Sequence, residues 1–479
     1  MTDQNKTPLP QDDLAPLNDA LKNDFEETVD VQSVGLSDES IREITDALNN
    51  DDPQDHIEAI NDLSVSDTVD LLHKLPSDDR QSLVDNDEID IDPLVFSYLD
   101  EDVQRATLSK MSAQQVADIL SELDSDDALE LIENLDPVFQ KDIIIKLSAK
   151  TRIAIEEGLT FPEDSAGRLM QREYVAVPQF WTVGKVIDYL RAVSEELPKE
   201  FYDIIVIDPL YHVVGEIPLD RIVRSKRTEK IENLTLDDLH IIPATMDQEE
   251  AALIFRREGL NSAPVVDADN RLIGVITFDD IIDVIDEEAE EDIMKLAGVE
   301  GSDFYQAILS TTKSRFRWLF LNLITAIMAS IVISFFGATI EQIVALAVLM
   351  PIVASMGGNA GTQALTVAVR ALATKELSGA NTLRVIGKET LVGFLNGVGF
   401  AIIMGFIAAF WFDNDMLGFV IAAAMVINLI FAGLFGAAIP IFLNKIGSDP
   451  ALSSTVLLTT ITDIVGFFGF LGLASIFLI

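Results

Sequence analysis

The sequence predicts a multidomain protein with an α-helical, superhelical N-terminal domain, a tandem α/β pair, and an α-helical membrane domain with five transmembrane helices. Three observations predict it. Charge is partitioned: from Lys313 onward eight basic and seven acidic side chains leave +1, so residues 1–312 carry −47 against a total of −46. Apolar spacing is helical over 35–159 and mixed with short β-branched runs over 161–285. Each of these two regions also contains an internal repeat, at offsets of 48 and 59 residues.

Composition narrows the function. A chain of 479 residues exceeds one soluble core. An acidic body repels nucleic acid and anionic headgroups and attracts divalent cations, so nucleic acid is not an expected partner. There are no cysteines, which excludes disulfides and thiolate metal sites, and four scattered His argue against zinc or copper. The opening MTDQNKTPLPQDD lacks an apolar h-region, so no cleaved signal peptide is expected and the acidic body is expected in the cytosol.

Residues 1–34 are polar and acidic and read as a disordered tail. Residues 35–160 read as a helical domain. Within it 63–79 repeats as 111–127, with Ser64/Ser112, Asp70/Asp118, Leu72/Leu120 and Asp78/Asp126 coinciding. Ser-Asp-Asp pieces between the helices suit N-caps, and stacked helix pairs follow. Such arrays serve as interaction or regulatory modules.

Residues 161–225 and 226–285 form the second repeat. Stretch 206–223 lies over 265–282, with Asp208/Asp267, Gly215/Gly274, Ile217/Ile276 and Asp220/Asp279 coinciding. Each copy reads strand, polar turn, strand through a glycine, then helix, with earlier helices at 183–193 and 248–258. This resembles a tandem pair of CBS domains. In that family a Thr/Ser-x-x-Asp after the second strand can hold a nucleotide ribose. Thr277 and Asp280 match it in the second copy, making ATP a candidate cofactor, whereas Pro218 replaces the Thr in the first. The alternative is that Asp280 caps the helix that follows.

Residues 286–312 read as a connecting helix opening on the acidic run 286–292. Such a run is ordinarily a solvated face. Against another acidic domain it would repel unless cations bridged the two. Residues 313–479 hold five apolar segments, near 316–337, 343–372, 388–412, 417–443 and 451–479. Basic and acidic loops alternate between them, which predicts the N-terminus inside and the C-terminus outside.

Two segments carry the chemistry. The second contains PIVASMGGNAGTQ (351–363), dense in helix breakers, with Asn359, Thr362 and Gln363 adding polar groups. It reads either as a bent, carbonyl-exposing segment or as a packing helix. The fifth has Thr455, Thr459 and Asp463 every four residues, a hydroxyl stripe ending in a carboxylate. A charge at that depth costs roughly 2.5–3.5 kcal/mol on insertion scales. No Lys or Arg lies in the apolar core to offset it, so an ion pathway is expected, with a proton relay as the alternative.

With these motifs, and with Gly436, Pro440, Asp449-Pro450 and Asp463, the chain resembles the MgtE family of magnesium channels over almost its whole length. It departs from the family's Asn-rich second segment at Thr362. The resemblance implies a homodimer in a bacterial inner membrane, its pore between subunits. Asp463 of each chain would hold a hydrated Mg²⁺, with Thr455, Thr459 and Asn359 nearby. It also implies closure by cytosolic Mg²⁺ bridging Asp126 and Glu130 of the helical domain to Asp283, Glu288, Glu291 and Asp292.

The rivals are a channel preferring Co²⁺, Ni²⁺ or Mn²⁺, a proton-coupled exporter, and a nucleotide-sensing receptor without a pore. Without cysteine and with few His, softer metals are disfavoured. An enzyme is not expected: no nucleophile–base pair, phosphate loop or hydrolase metal motif is present.

Overall fold

The computed structural model describes residues 57 and 60–479, apart from 87, 195–196, 200, 237, 300–307, 378 and 380, together with residues 36, 41 and 44. The tail expected over 1–34 lies outside the described residues. The described chain forms two compact bodies: residues up to 246 with 262–276, and residues 247–261 with 277–479.

The first body begins with short helices: α1 (Val65–Lys74), α2 (Ser77–Val84), α3 (Leu94–Ser97), α4 (Glu101–Leu108), α5 (Ala113–Glu122), α6 (Ser125–Glu133), α7 (Pro137–Ile144) and α8 (Ala149–Gly158). None has more than ten residues, and helices that short are marginal alone. They hold because their apolar faces build one core, in which Leu71, Leu72, Leu120, Leu131 and Ile132 are wholly buried.

The repeat at 48 residues recurs in the backbone. Ser64 Oγ accepts from Asp67 N–H at 3.2 Å to cap α1, and Ser112 Oγ from Gln115 N–H at 3.3 Å to cap α5. Gln115 Oε1 completes a capping box by accepting from Ser112 N–H at 2.9 Å.

After the short helix α9 (Ala166–Leu169) come two three-stranded sheets. The first orders β1 (Ala176–Pro178), β2 (Asp203–Ile207) and β3 (Val213–Pro218), with β1 parallel and β3 antiparallel to β2. Helix α10 (Val183–Ala192) precedes β2 and α11 (Leu219–Arg224) follows β3. The second sheet orders β4 (Ile242–Pro243), β5 (Ser262–Val266) and β6 (Leu272–Thr277), with β4 parallel to β5.

The repeat at 59 residues is a shared turn. Asp208 Oδ1 accepts from Leu210 and His212 N–H at 2.7 and 2.9 Å, and Asp267 Oδ1 from Asp269 and Arg271 N–H at 2.8 and 2.9 Å. The copies meet through antiparallel bridges between His212 and Arg271 and between Gln171 and Val275.

One buried acidic pair stands out in these sheets. Glu216 on β3 is 4% exposed, and Ser262 Oγ donates to Asp203 Oδ2 on β2 at 2.8 Å. Burial, then the Asp203 charge beside it, push the Glu216 carboxyl up to about 8. Burial also raises Asp203. Glu216 therefore holds its proton at neutral pH and donates it to Asp203.

The second body contains α12 (Gln248–Glu258), α13 (Phe278–Ala297), α14 (Ile308–Ser334), the short α15 (Gly337–Gln342), α16 (Ala345–Ala373), α17 (Thr382–Phe412), α18 (Asp415–Lys445) and α19 (Pro450–Phe477). Helices α14, α16, α17, α18 and α19 are long and apolar enough to cross a membrane. Helix α18 is central, with 56% of its apolar window buried against 6% for α14.

Helices α17 and α18 meet backbone to backbone. A Cβ at Gly393 would strike the Leu429 carbonyl, one at Gly433 the Glu389 carbonyl, and one at Gly418 would stand 2.5 Å from the Gly405 oxygen. Helix α16 remains continuous through Pro351, Gly357, Gly358 and Gly361. These glycines include packing positions: a Cβ at Gly436 on α18 would lie 2.6 Å from the Gly361 carbonyl oxygen. Neighbouring helices are what allow a proline inside a membrane helix.

Candidate functional site

The Asp449-Pro450 pair starts α19. Asp449 Oδ1 accepts from Ala451 N–H at 2.8 Å, and Pro450, which has no N–H to satisfy, occupies the first turn. The helical period then puts Thr455, Thr459 and Asp463 on one face, all half-buried. Thr459 Oγ1 donates to the Thr455 carbonyl at 3.0 Å, and the buried Thr462 to the Thr459 carbonyl at 3.1 Å.

The Thr459 and Thr462 hydroxyl protons are thus committed to the helix, and that of Thr455 to the Leu296 carbonyl, leaving oxygen lone pairs for other donors. The waters around a hydrated cation point their hydrogens outward, so acceptors of this kind suit them. Among the described residues no basic group or hydrogen-bond donor faces the Asp463 carboxylate. Asn359 lies on α16, in an exposed row with Thr362, Gln363 and Thr366.

Helix α13 runs from the second CBS copy to the membrane helices. It crosses residue 285 without a break and is about 30 Å long at 1.5 Å per residue. At its start Thr277 Oγ1 donates to Asp280 Oδ2 at 2.7 Å, and Thr277 N–H to the same oxygen at 3.3 Å. Asp280 therefore serves as a cap, the alternative reading of that motif. At its end Gly298 adopts φ 75°, where a side chain would be strained and would meet Trp318.

The last turn of α13 grips the membrane helices. Leu296 packs with Leu365, Val369, Ile439, Leu443, Ala451 and Leu458, and its carbonyl accepts from Thr455 Oγ1 at 3.1 Å. Lys295 Nζ reaches Glu291 Oε1 at 2.6 Å and Asp449 Oδ2 at 2.9 Å. Burial would lower the Lys295 ammonium, but the hydrogen bonds it donates to these carboxylates outweigh it and hold Lys295 protonated.

The acidic residues expected to sense cations divide between the two bodies. Asp126 and Glu130 lie one turn apart on α6, Asp126 half-buried and Glu130 exposed. The start of α6 packs on the linker to the first CBS copy. Ser125 Oγ donates to Glu173 Oε2 at 2.8 Å and accepts from Arg172 N–H at 2.7 Å.

Asp283, Glu288, Glu291 and Asp292 lie on α13. Glu288 Oε1 accepts from Gln248 Nε2 at 2.9 Å. Burial, then Asp279 and Asp286, push the Asp283 carboxyl up, and burial, then Asp449, do the same for Asp292. On α12, burial raises Glu249 as well, with Lys375 opposing it. Like charge is therefore concentrated where α12 and α13 approach Asp449. Among the described residues no three Asp, Glu or His side chains converge as a closed metal cage.

Sequence reasoning missed two participants. Lys295 carried a signal: it is a single base in an acidic helix, four residues after Glu291. Asn428 carried another, as the lone hydrogen-bonding side chain between residues 416 and 443.

Comparison with known proteins places the chain. The family model described as "Divalent cation transporter" matches residues 350–473, that of the "MgtE intracellular N domain" residues 63–164, and that of the CBS domain residues 231–287. The magnesium transporter MgtE of Bacillus subtilis (strain 168) is 30% identical over 443 residues, covering 92% of this chain and 98% of that one. The magnesium transporter MgtE of Thermus thermophilus is 34% identical over 348 residues, covering 72% and 76%.

Among solved structures, the cytosolic domain of the Mg²⁺ channel MgtE in complex with ATP is 26% identical, with a TM-score of 0.46, covering 51% of this chain and 99% of that one. With the Bacillus subtilis relative 30% identical over nearly its full length, the chain belongs to the MgtE family of magnesium transporters, multi-pass membrane proteins and not enzymes.

Proposed function

We propose that this protein is a Mg²⁺-selective channel for Mg²⁺ uptake, working as a homodimer in a bacterial inner membrane. Its N-terminus is cytoplasmic and its C-terminus outside. The observation that carries this is Asp463: a half-buried carboxylate in an apolar helix, facing no base, at the end of a stripe of hydroxyl acceptors. Intramembrane carboxylates of this kind mark ion pathways.

Mg²⁺ sheds water reluctantly and takes one or two carboxylates with several waters. Asp463 from two protomers, with Thr455, Thr459 and Asn359 contacting the waters, suits that demand. The orientation is supported by basic residues Arg370, Lys375, Arg384 and Lys388 around the junction of α16 and α17 and acidic Asp413 and Asp415 at the junction of α17 and α18.

Cytosolic Mg²⁺ closes the channel. Hydrated ions bridge Asp126 and Glu130 to Asp283, Glu288, Glu291 and Asp292, relieving their repulsion. When Mg²⁺ falls, the carboxylates part and α13 releases the membrane helices. The grip of Lys295 and Leu296 on α19 supports α13 as the coupling element. ATP at the CBS pair is a further part of the proposal. Asp280, a half-buried carboxylate at a helix N-terminus, fits a ribose if its bond to Thr277 is exchanged.

The test is Mg²⁺ flux in proteoliposomes over a range of internal Mg²⁺. Flux should fall as internal Mg²⁺ rises, and Asp463→Ala should abolish it with helix content unchanged. Normal flux in Asp463→Ala refutes the pathway. Dependence on a proton gradient would favour the exporter, and flux competition by Co²⁺, Ni²⁺ or Mn²⁺ ranks the cations.

A further inference from the structure

Asn428 is wholly buried in the middle of α18. Its Nδ2 donates to the Val353 carbonyl on α16 at 2.8 Å, while its Oδ1 has no hydrogen-bond partner among the described residues. Turning the amide over would set Oδ1 against that carbonyl, so the donor orientation is fixed. Two glycines on different helices make room for it. A Cβ at Gly466 on α19 would lie 2.8 Å from Nδ2, and one at Gly357 on α16 would overlap the amide.

A buried amide with an orphaned oxygen carries a desolvation cost that an apolar side chain in this apolar setting would avoid. Its place in the bundle indicates what offsets that cost. Gly466 follows Asp463 by one helical turn, and Gly357 precedes Asn359 by two residues. One side chain therefore contacts both the turn that carries Asp463 and the turn that carries Asn359.

We propose that Asn428 is a positioning residue for the ion pathway. It fixes the height and rotation of the Asp463 turn against the 357–359 turn, and so the spacing of the oxygens that meet a hydrated divalent cation. The inference rests on Asp463 being the pathway carboxylate. The mechanism follows from the ion: Mg²⁺ demands a near-ideal octahedral shell, so small shifts of the groups around its waters alter binding and ion ranking. Groups that only orient ligands commonly change metal affinity about 10–100-fold when removed.

The test compares Asn428→Ala, Asn428→Leu, Gly466→Ala, the double variant Asn428→Ala/Gly466→Ala, and Asp463→Ala in proteoliposomes. Thermal unfolding in detergent serves as the fold control. Asn428→Ala should keep its maximal flux yet raise the half-saturating external Mg²⁺ about tenfold and narrow the preference for Mg²⁺ over Ca²⁺. Gly466→Ala should do the same by pushing the α19 turn off the amide. In the double variant the new methyl enters the vacated space, and half-saturation should return toward wild type.

If Asn428→Ala does not fold, Asn428→Leu decides, because it nearly keeps the shape and removes the donor. Wild-type half-saturation and ion ranking in a folded Asn428 variant, with flux absent in Asp463→Ala, overturns the positioning role alone. Normal flux in Asp463→Ala overturns the pathway on which it rests.

Discussion

Replacing Lys295 with Met tests how α13 holds the membrane helices. The ammonium bonds Glu291 and Asp449 together at 2.6 and 2.9 Å, with 25% of the lysine side chain exposed. Met keeps the stem's packing and removes the charge. Exposed ion pairs contribute about 0.2–1 kcal/mol each, and this pair of bonds is partly shielded. Asp449, Glu291 and half-buried Asp292 would then face one another without a counter-charge.

Together these effects amount to about 1–2 kcal/mol of attachment, a factor of roughly 5–30 in a two-state equilibrium. The assay is flux against internal Mg²⁺ in proteoliposomes. The Mg²⁺ needed for half-closure should rise by that factor, with maximal flux retained. Asp449→Asn in the Lys295→Met background should reverse much of the shift, because Asn still caps α19 while removing one repelling charge. Unchanged half-closure in a folded Lys295→Met protein would refute the argument that this contact couples α13 to the pore helices.

Other perturbations give sharp expectations. Neutralising Asp283, Glu288 and Glu291 together should leave conduction intact but weaken closure at high internal Mg²⁺; gating like that of the wild type would discard the sensor. Glu216 is raised from 4.5 to about 8, so its stabilisation is complete below pH 4.5 and is lost as pH climbs through 8. Glu216→Gln, which keeps a donor toward Asp203, should flatten the decline in thermal stability between pH 5 and 9, a difference of a few kcal/mol, and parallel curves would contradict it. Ser125→Ala should cost about 0.5–1.5 kcal/mol, read by chemical denaturation, because it removes both bonds of the hydroxyl while the Arg172 N–H and the Ser125 N–H still reach Glu173 Oε2 at 3.2 Å.

Much of the fold was legible because it repeats. Ser64 and Ser112 coincide in sequence because both cap a helix, and Asp208 and Asp267 because both hold the same turn. The membrane helices were legible from length and apolarity, and the α19 stripe from its four-residue period. Other features depend on neighbours that a sequence does not display. Gly357 and Gly361 carry the same local signal whether they break a helix or admit another one, and here they admit Asn428 and Gly436. The pairing of Lys295 with Asp449 joins positions far apart in the chain. Helix α13 crosses residue 285 because nothing stops it before Gly298, although a change of domain was expected there.

The glycine contacts between α17 and α18 bear on how the membrane part deforms. Gly393, Gly405, Gly418 and Gly433 bring main chain against main chain along these helices. The side chains that stand at these contacts are the methyls of Ala409 and Ala422, which have no rotamer to change, so sliding or rotating one helix would drive carbonyl oxygens into Cα atoms. The pair behaves as a stiff beam. In the gating proposed above, displacement of the bundle falls to the remaining spans, and α19, bonded at its N-terminal end to α13, is the first of them to receive it.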